Sequence, residues 1–197
     1  MSRSTSRRVT RDMPPVACRA AEPRDADAIA EIHVAAFEAT FRGVLGDELL
    51  DQRGMDVRRP MWHELLADVR PGHISTVAER EGQVVGFATA VPSWYPDHDP
   101  TRVIDLSRIY VCPGLEGTGV GPALYVDQER RWRQAGWQAA TTQIGAANER
   151  SMRFFARRGW RPDGHERRAE DGSLERRFGK SRLVGRLSPQ SMTANAG

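Results

Sequence analysis

Apolar positions along the chain recur with two periods, one typical of strands and one typical of helices. Residues 16–22 form a short run that predicts a strand, and Pro23 ends it. From Asp25 to Phe37 apolar side chains recur every three or four residues, behind acidic residues in the first turn, where the helix dipole favours them. Helices are also predicted over residues 57–69, 122–136 and 148–158.

Two pairs of strands have the pattern of hairpins. In STVAEREGQVVGFATAV, residues 75–91, two apolar runs flank the turn residues Glu81 and Gly82. Strands over residues 160–167 and 174–178 would turn at Asp171 and Gly172. Single strands at 101–111 and 139–145 complete the order, which predicts a mixed α/β (α+β) fold.

Loops and tails are marked by their composition. The glycine-broken connector FRGVLGDELLDQRG, residues 41–54, is expected to hold a short helix. The segment PSWYPDHDP, residues 92–100, is too rich in proline to continue a strand and is predicted to be a loop. We expect one domain over residues 15–180, between a flexible basic tail at 1–14 and a flexible polar tail at 181–197.

The composition is that of a single domain and excludes several kinds of site. With 197 residues, 39% of them hydrophobic, the chain can form one core. The 29 Lys and Arg residues are nearly balanced by 26 Asp and Glu residues, so the mild basic excess suits an anionic cofactor as well as nucleic acid. Cys18 and Cys112 are far apart and the histidines lack ligand spacing, so neither a disulfide framework nor a metal site is expected.

Signals for membranes and export are not expected. No apolar run is long enough to cross a bilayer, and the arginine-rich stretch MSRSTSRRVTR, residues 1–11, has no apolar segment behind it. We therefore expect no membrane association and no secretory signal. A cytoplasmic location fits the two isolated cysteines.

A glycine-rich loop lies between a predicted strand and a predicted helix. In GLEGTGVGPALY, residues 114–125, backbone amides and the positive end of a helix dipole would point at one place, as in pyrophosphate sites. Glycine-rich turns also occur for packing alone, so the spacing is compatible with a phosphate site and with a purely structural turn. Neither a Walker loop nor a dinucleotide fingerprint fits, because no Lys-Ser or Lys-Thr follows the last glycine and position 122 is proline.

Two motifs together resemble the acetyl-CoA-binding core of the GNAT acyltransferase superfamily. Gly119 and Gly121 match the glycines of that family's first motif. In NERSMRFFARRGW the second motif is matched by Asn148, Ser151, Phe154, Gly159 and Trp160. With the hairpin and the first helix ahead of them, the resemblance extends over residues 16–178 and implies a GNAT-type fold, a mixed and largely antiparallel central sheet flanked by helices.

The resemblance implies acetyl-CoA as co-substrate, with no metal. Its pyrophosphate would be held by the backbone amides of Gly117, Thr118, Gly119, Val120 and Gly121. The end of the preceding strand, at Ile109, Tyr110 and Val111, would pair with the pantetheine arm as an added strand. Asn148 and Phe155 would contact the cofactor further along. Asn148 also suits a helix N-cap, and both Phe154 and Phe155 also suit the core, Phe154 above all.

Two positions depart from the family pattern. Glu116 stands where related sequences carry Gln or Arg, and a carboxylate repels a pyrophosphate unless its side chain points to solvent. Phe155 replaces the tyrosine that protonates the departing thiolate in many members. General acid assistance is worth roughly 10² to 10⁴-fold, whereas positioning can supply on the order of 7 to 11 kcal/mol, so activity without that tyrosine is compatible with the sequence.

Candidate catalytic residues follow from the strand that leads to the loop. Asp105 is the predicted base for the incoming amine, and alternation would place it on the same face as Ser107, Ile109 and Val111. An ion pair with Arg102 or Arg108 is the alternative role. Tyr125 is the predicted acid, with Tyr110, water or the newly acylated ammonium as other proton sources. Weaker candidates for acceptor binding are Glu38 and Tyr95.

The function predicted on this basis is transfer of an acetyl group from acetyl-CoA to a primary amine by direct attack in a ternary complex. The alternative is a catalytically weak module that binds acyl-CoA as a sensor or partner domain. We do not expect nucleic acid as a partner, and a homodimer is allowed but not required. A small-molecule amine and a protein amine are both compatible with the sequence.

Overall fold

The computed structural model describes residues 13–41, 54–68, 70–169 and 172–183. These residues form seven strands and four α-helices, with one turn of 3-10 helix at Pro23–Asp25. The strands are β1 Ala17–Ala20, β2 Ile74–Arg80, β3 Gln83–Pro92, β4 Val103–Val111, β5 Ala139–Gly145, β6 Arg161–Arg168 and β7 Leu174–Ser181. The helices are α1 Ala26–Phe41, α2 Met55–Ala67, α3 Val120–Gln134 and α4 Glu149–Ala156.

The strands form one sheet in the order β1-β2-β3-β4-β5-β7-β6. Neighbouring strands run antiparallel except β4 and β5, which are parallel and are joined by α3. A parallel pair needs a crossover connection, and α3 supplies it. The prediction of a mixed, largely antiparallel sheet flanked by helices is confirmed.

Two apolar cores lie on opposite faces of this sheet. On one face, Trp62 of α2 and Ile29 of α1 pack with Phe87 and Val77 of the sheet. On the other face α3 crosses β1 to β4, and its Leu124 and Trp132 belong to the second core. That core continues through α4 and β7 to Leu183, which is fully buried although it follows the predicted domain end at 180.

The predicted elements are close to those observed, with shifts at their ends. Helix α3 begins at Val120, two residues before the predicted start, so Gly121 is inside the first helical turn. Glu81 and Gly82 form the β2–β3 turn with positive φ values of 51° and 77°. Outside the described residues lie the first twelve residues of the predicted tail at 1–14, the connector over 42–53, the turn residue Asp171 and the chain after 183.

A β-bulge at Ser107 overturns the predicted alternation along β4. Leu106 pairs with Ala90 and Arg108 pairs with Thr89, so Ser107 is the extra residue. Cross-strand partners point to the same face of the sheet. The bulge therefore places the side chains after Ser107 on the opposite face from the one that simple alternation predicts. Asp105 lies on the same face as Arg108 and Tyr110, toward α1 and α2, and not with Ile109 and Val111, which pack in the α3 core.

Gly86 marks the closest approach between β3, β4 and α3. A Cβ atom added to Gly86 would lie 2.8 Å from the carbonyl oxygen of Tyr110, 2.9 Å from Val120 Cγ1 and 3.1 Å from Leu124 Cδ1. No ordinary side chain fits there, because one of these neighbours is backbone that cannot rotate away. The start of α3 can therefore pack on the sheet only over a glycine.

Replacing Gly86 with alanine is expected to destabilise the protein by about 1 to 3 kcal/mol, because overpacking forces backbone to move. In thermal unfolding this corresponds to a fall of about 2 to 4 °C for each kcal/mol in a chain of this size. Gly145→Ala is the matched control, since a Cβ at Gly145 would meet no atom within 4 Å. Equal melting temperatures for the two variants would contradict the close approach.

Candidate functional site

The parallel pairing between β4 and β5 ends after three residue pairs, Val103 with Ala139, Ile104 with Ala140, and Asp105 with Thr141. Beyond this point β4 continues to Val111 and β5 to Gly145 without pairing to each other. The Thr142 hydroxyl donates a hydrogen bond of 2.8 Å to the Leu106 carbonyl where the strands diverge. The inner edges of the two strands thus border a gap with backbone groups on both sides.

The glycine loop begins where β4 ends and lies at the mouth of this gap. Gly117 and Gly119 have φ values of 82° and 96°, a region that other residues adopt only with strain. Within the described chain, the backbone amides of Gly117, Gly119, Val120 and Gly121 have no hydrogen-bond acceptor. Those of Val120 and Gly121 belong to the first turn of α3, so the loop presents unpaired donors at the positive end of a helix.

The side chain of Glu116 folds back onto its own loop. Its carboxylate accepts a hydrogen bond of 2.9 Å from the Gly114 amide, and the residue is exposed. The carboxylate therefore does not occupy the amides of Gly117 to Gly121. Its charge nevertheless stays on the loop, where an anion would meet it.

A buried cation, Arg80, lies beneath the loop, and sequence reasoning missed it. Arg80 is the last residue of β2 and is 7% exposed. Its guanidinium donates to the Thr118 carbonyl at 3.1 Å and approaches the Thr118 hydroxyl at 3.4 Å. Only its position at a hairpin end, next to a loop distant in sequence, could have hinted at this contact.

Helix α4 holds the second motif. The Asn148 side-chain oxygen accepts a hydrogen bond of 2.9 Å from the Ser151 amide, so the N-cap interpretation is confirmed, and its cofactor contact stays a prediction. Phe155 is 3% exposed and packs on Trp160, whereas Phe154 is only half-buried under the guanidinium of Arg158. Both side chains pack in the α3 core, Phe155 fully and Phe154 in part, and a contact between Phe155 and the cofactor stays a prediction.

Asp105 is a buried carboxyl beside the point where β4 and β5 diverge. It is 4% exposed, and the Ser107 hydroxyl donates to it at 3.0 Å. Burial raises the pKa of Asp105 to about 6, even though Ser107 and the charges of Arg167, Arg108 and Arg177 act in the opposite direction. A carboxyl with such a pKa can exchange a proton near neutral pH.

Neither arginine considered as an ion-pair partner of Asp105 forms that pair. Arg102 donates to the Gln138 side chain, and the guanidinium of Arg108 lies over the Trp62 ring at 5.8 Å from its centroid. Burial lowers the pKa of Arg108 below its usual value, and no carboxylate of the described chain is within ion-pair distance. Asp105 and Arg108 are neighbours on one face without a direct contact.

The hydroxyl of Tyr125 is engaged in a buried network. It accepts hydrogen bonds of 2.9 Å from Trp160 Nε1 and from Lys180 Nζ, which also pairs with Glu129. Burial first, and then the Glu129 carboxylate, raise the pKa of Tyr125 above its usual value. These contacts favour a structural role, because a phenol with a raised pKa and fixed partners is a weaker acid than the prediction required.

The two candidates for acceptor binding are placed differently. Tyr95 is buried, since Trp94 stacks on its ring at 4.2 Å, the Arg177 guanidinium lies 4.5 Å from its centroid, and its hydroxyl donates to the Gln143 side chain. The exposed aromatic side chain of this loop is that of Trp94, which is 56% exposed. Glu38 lies half-buried in the last turns of α1, and its role in acceptor binding stays a prediction.

The described ranges contain no group of three or more His, Cys, Asp or Glu residues arranged to hold a metal ion. No helix in them has the length and apolar character needed to span a bilayer.

Residues 27–160 match the model of the acetyltransferase (GNAT) family. The chain belongs to this family. The matched range runs from α1 through the glycine loop and α4 to Trp160, so it includes both motifs on which the resemblance rests. The resemblance to this superfamily is thereby confirmed.

Two curated relatives carry only a general name. An uncharacterized N-acetyltransferase from Mycobacterium tuberculosis is 30% identical over 103 residues, which are 51% of this GNAT chain and 60% of that protein. One from Archaeoglobus fulgidus is 28% identical over 80 residues, 41% of this chain and 54% of that protein. The chain thus spans little more than half the length of these relatives.

Solved structures share the fold across most of the chain. A ribosomal-protein-alanine N-acetyltransferase from Brucella melitensis is 25% identical, with a TM-score of 0.66 over 84% of this chain and 99% of its own. The PaiA N-acetyltransferase from Thermoplasma acidophilum, solved in complex with coenzyme A, is 12% identical, with a TM-score of 0.64 over 85% and 99%. At 12% identity the second likeness concerns the fold alone.

The raised pKa of Asp105 predicts a pH-dependent effect on stability. A carboxyl with a pKa of about 6 in the folded state and about 3.8 when unfolded stabilises the fold only while protonated, and this contribution is lost as pH rises from about 4 to 6. Asp105→Asn should therefore be more stable than wild type above pH 6, by about 1 to 3 kcal/mol, and nearly equal to it at pH 4. Melting temperatures between pH 4 and 8 measure the difference.

Asp97 provides a control of opposite sign for this experiment. Its hydrogen bonds with Arg177 hold the pKa of Asp97 well below its usual value, so it stabilises the fold at higher pH and loses that effect in acid. Asp97→Asn should be less stable than wild type above pH 4. A destabilised Asp105→Asn at pH 8 would contradict the burial of an uncompensated carboxylate at that position.

Proposed function

We propose that the chain is an N-acetyltransferase that moves an acetyl group from acetyl-CoA to a primary amine. The observation that carries the proposal is the set of four unpartnered amides at Gly117, Gly119, Val120 and Gly121, at the mouth of the gap between β4 and β5. Such donors at a helix start suit a pyrophosphate. Membership of the GNAT family, and a neighbour of the same fold solved with coenzyme A, support this choice of anion.

The gap itself suits the pantetheine arm. Pantetheine is an extended chain with two amides, and the unpaired inner edge of β4 at Ile109 to Val111 offers backbone groups for it, as for an added strand. With the pyrophosphate on the loop, the arm would run along β4 toward the bulge at Ser107. The thioester would then lie next to the point where Asp105 is buried.

Asp105 acts in this proposal as the base. The amine must lose a proton as its nitrogen attacks the thioester carbonyl, and a carboxylate with a pKa of about 6 can accept that proton at neutral pH. A carbon–nitrogen bond forms, the carbon–sulfur bond breaks, and the sulfur leaves as the thiolate of CoA. Because Asp105 faces α1 and α2, the amine would enter from that side of β4.

The thiolate takes its proton from water or from the newly acylated ammonium. Phe155 cannot donate one, and the Tyr125 hydroxyl is held by Trp160 and Lys180. CoA is a good leaving group, so the loss of a dedicated acid costs less than the loss of positioning would. The same phenylalanine motivates a second candidate, a module that binds acyl-CoA with little turnover.

The proposal predicts thiol release from acetyl-CoA when a suitable amine is supplied, measured against a panel of small-molecule, polyamine and peptide amines. Asp105→Asn should lower kcat/KM by about 10² to 10⁴-fold, and the wild-type rate should rise as pH passes through about 6, where Asp105 loses its proton. Asp68→Asn, on the exposed end of α2, is the control and should leave the rate unchanged.

The outcomes separate the two candidates. Acetyl-CoA that raises the melting temperature without turnover of any amine in the panel would exclude the enzyme and favour the binding module. Failure of acetyl-CoA to bind at all would overturn both.

Tyr125→Phe tests the assignment of the proton source. Removing the hydroxyl leaves the buried Trp160 Nε1–H without an acceptor, whereas Lys180 keeps its partner Glu129. We therefore expect a loss of about 1 to 3 kcal/mol in stability and a kcat within about threefold of wild type. Tyr110→Phe removes the other candidate hydroxyl in parallel. If either variant lowers kcat by a hundredfold or more at an unchanged melting temperature, the tyrosine that it replaces is the general acid.

A further inference from the structure

The feature that the proposed function leaves unexplained is the buried charge of Arg80. Its side chain is almost fully enclosed, yet no carboxylate of the described chain lies within ion-pair distance, and its Nε atom has no hydrogen-bond partner there. Its neighbours are the Thr118 carbonyl and hydroxyl and the sulfur of Met13, all of them uncharged. Within the described ranges this buried cation has no counter-charge, and burying an unpaired charge is costly.

The contact with Thr118 fixes the direction of the next peptide amide. In a trans peptide the carbonyl oxygen of one residue and the N–H of the next point in opposite directions, and the described chain contains no cis peptide bond. Because Arg80 draws the Thr118 carbonyl inward, the Gly119 N–H points outward, away from Arg80. That N–H is one of the four unpartnered donors of the glycine loop.

A second set of bonds holds Thr118 in the same orientation. Its hydroxyl donates to the Leu115 carbonyl at 2.7 Å, and its amide donates to the same carbonyl at 3.3 Å. Thr118 lies between two glycines with positive φ, which on their own permit many conformations. The Arg80 contact therefore fixes Thr118, whose two neighbouring glycines have the greatest backbone freedom in the loop.

Arg80 also brings a positive charge to a loop whose own charged side chain is acidic. The carboxylate of Glu116 is exposed and stays on the loop, so the loop surface opposes an anion. A cation on the inner side of the loop offsets that field through a poorly solvated region, where charge interactions are weakly screened. An anion on the outer side would give Arg80 a counter-charge that no described residue supplies.

We propose that Arg80 is a positioning residue for the pyrophosphate of the cofactor. It orients the Gly119 amide through the Thr118 carbonyl and contributes its charge through the loop, without itself touching the ligand. The inference rests on the proposed function, since it takes acetyl-CoA as the source of the anion. It assigns part of the phosphate affinity to β2, an element outside the glycine motif.

The test compares CoA with pantetheine, which lacks the pyrophosphate and the phosphoadenosine attached to it, by titration calorimetry on the full chain. Arg80→Met should weaken CoA binding by about tenfold or more, which is about 1.4 kcal/mol for each factor of ten, and leave pantetheine binding within about twofold. Arg80→Lys, which keeps the charge and loses the forked donor, should lie between Arg80→Met and wild type. Arg168→Met, on exposed β6 at the far edge of the sheet, is the charge-matched control.

The outcomes distinguish this inference from the proposed function. A merely structural role for Arg80 would weaken both ligands together, and that result, or an unchanged CoA affinity in Arg80→Met, would overturn the inference while wild-type CoA binding still stands. Should Arg80→Met fail to fold, the ratio of CoA to pantetheine affinity in Arg80→Lys decides in the same way. A wild-type protein with no affinity for CoA would overturn the proposed function and the inference with it.

Discussion

The separation of β4 from β5 after three residue pairs is the constraint on which the rest of the site depends. Two parallel strands that stay paired would use all their inner amides and carbonyls on each other. Here the bulge at Ser107 bends β4 just beyond the last pair. The first β4 carbonyl after that pair, that of Leu106, accepts a hydrogen bond from the Thr142 hydroxyl. What remains is an edge of unpaired backbone inside a sheet, which is the geometry that a second extended chain can join.

The same bulge divides the chemistry of β4 between the two faces of the sheet. Ile109 and Val111 complete the apolar core under α3, while Asp105, Arg108 and Tyr110 face α1 and α2. A buried carboxyl and a half-buried guanidinium therefore stand together on the side from which an acceptor would approach. Without the extra residue, the apolar and ionisable side chains after position 107 would exchange faces.

Sequence patterns identified nearly every element but could not identify the contacts between distant ones. The hairpin at Glu81 and Gly82, the strand before the glycine loop and the N-cap at Asn148 all have local signals, and all are present. The bulge at Ser107 has none, because nothing in the residues around it breaks the strand pattern. The contact of Arg80 with Thr118 joins residues 38 positions apart, and the burial of Phe155 rather than Phe154 depends on how α4 packs against Trp160.

The missing side chain at Gly86 has a mechanical consequence. Because this glycine lets the first turn of α3 rest directly on β3 and on the end of β4, the loop between β4 and α3 has both ends fixed to the same small block of sheet. The hairpin that holds Arg80 belongs to that block. Binding of a ligand to the loop would therefore slow amide hydrogen exchange along β2 and β3 as well as in the loop. A contact at the surface would in this way stabilise strands inside the sheet.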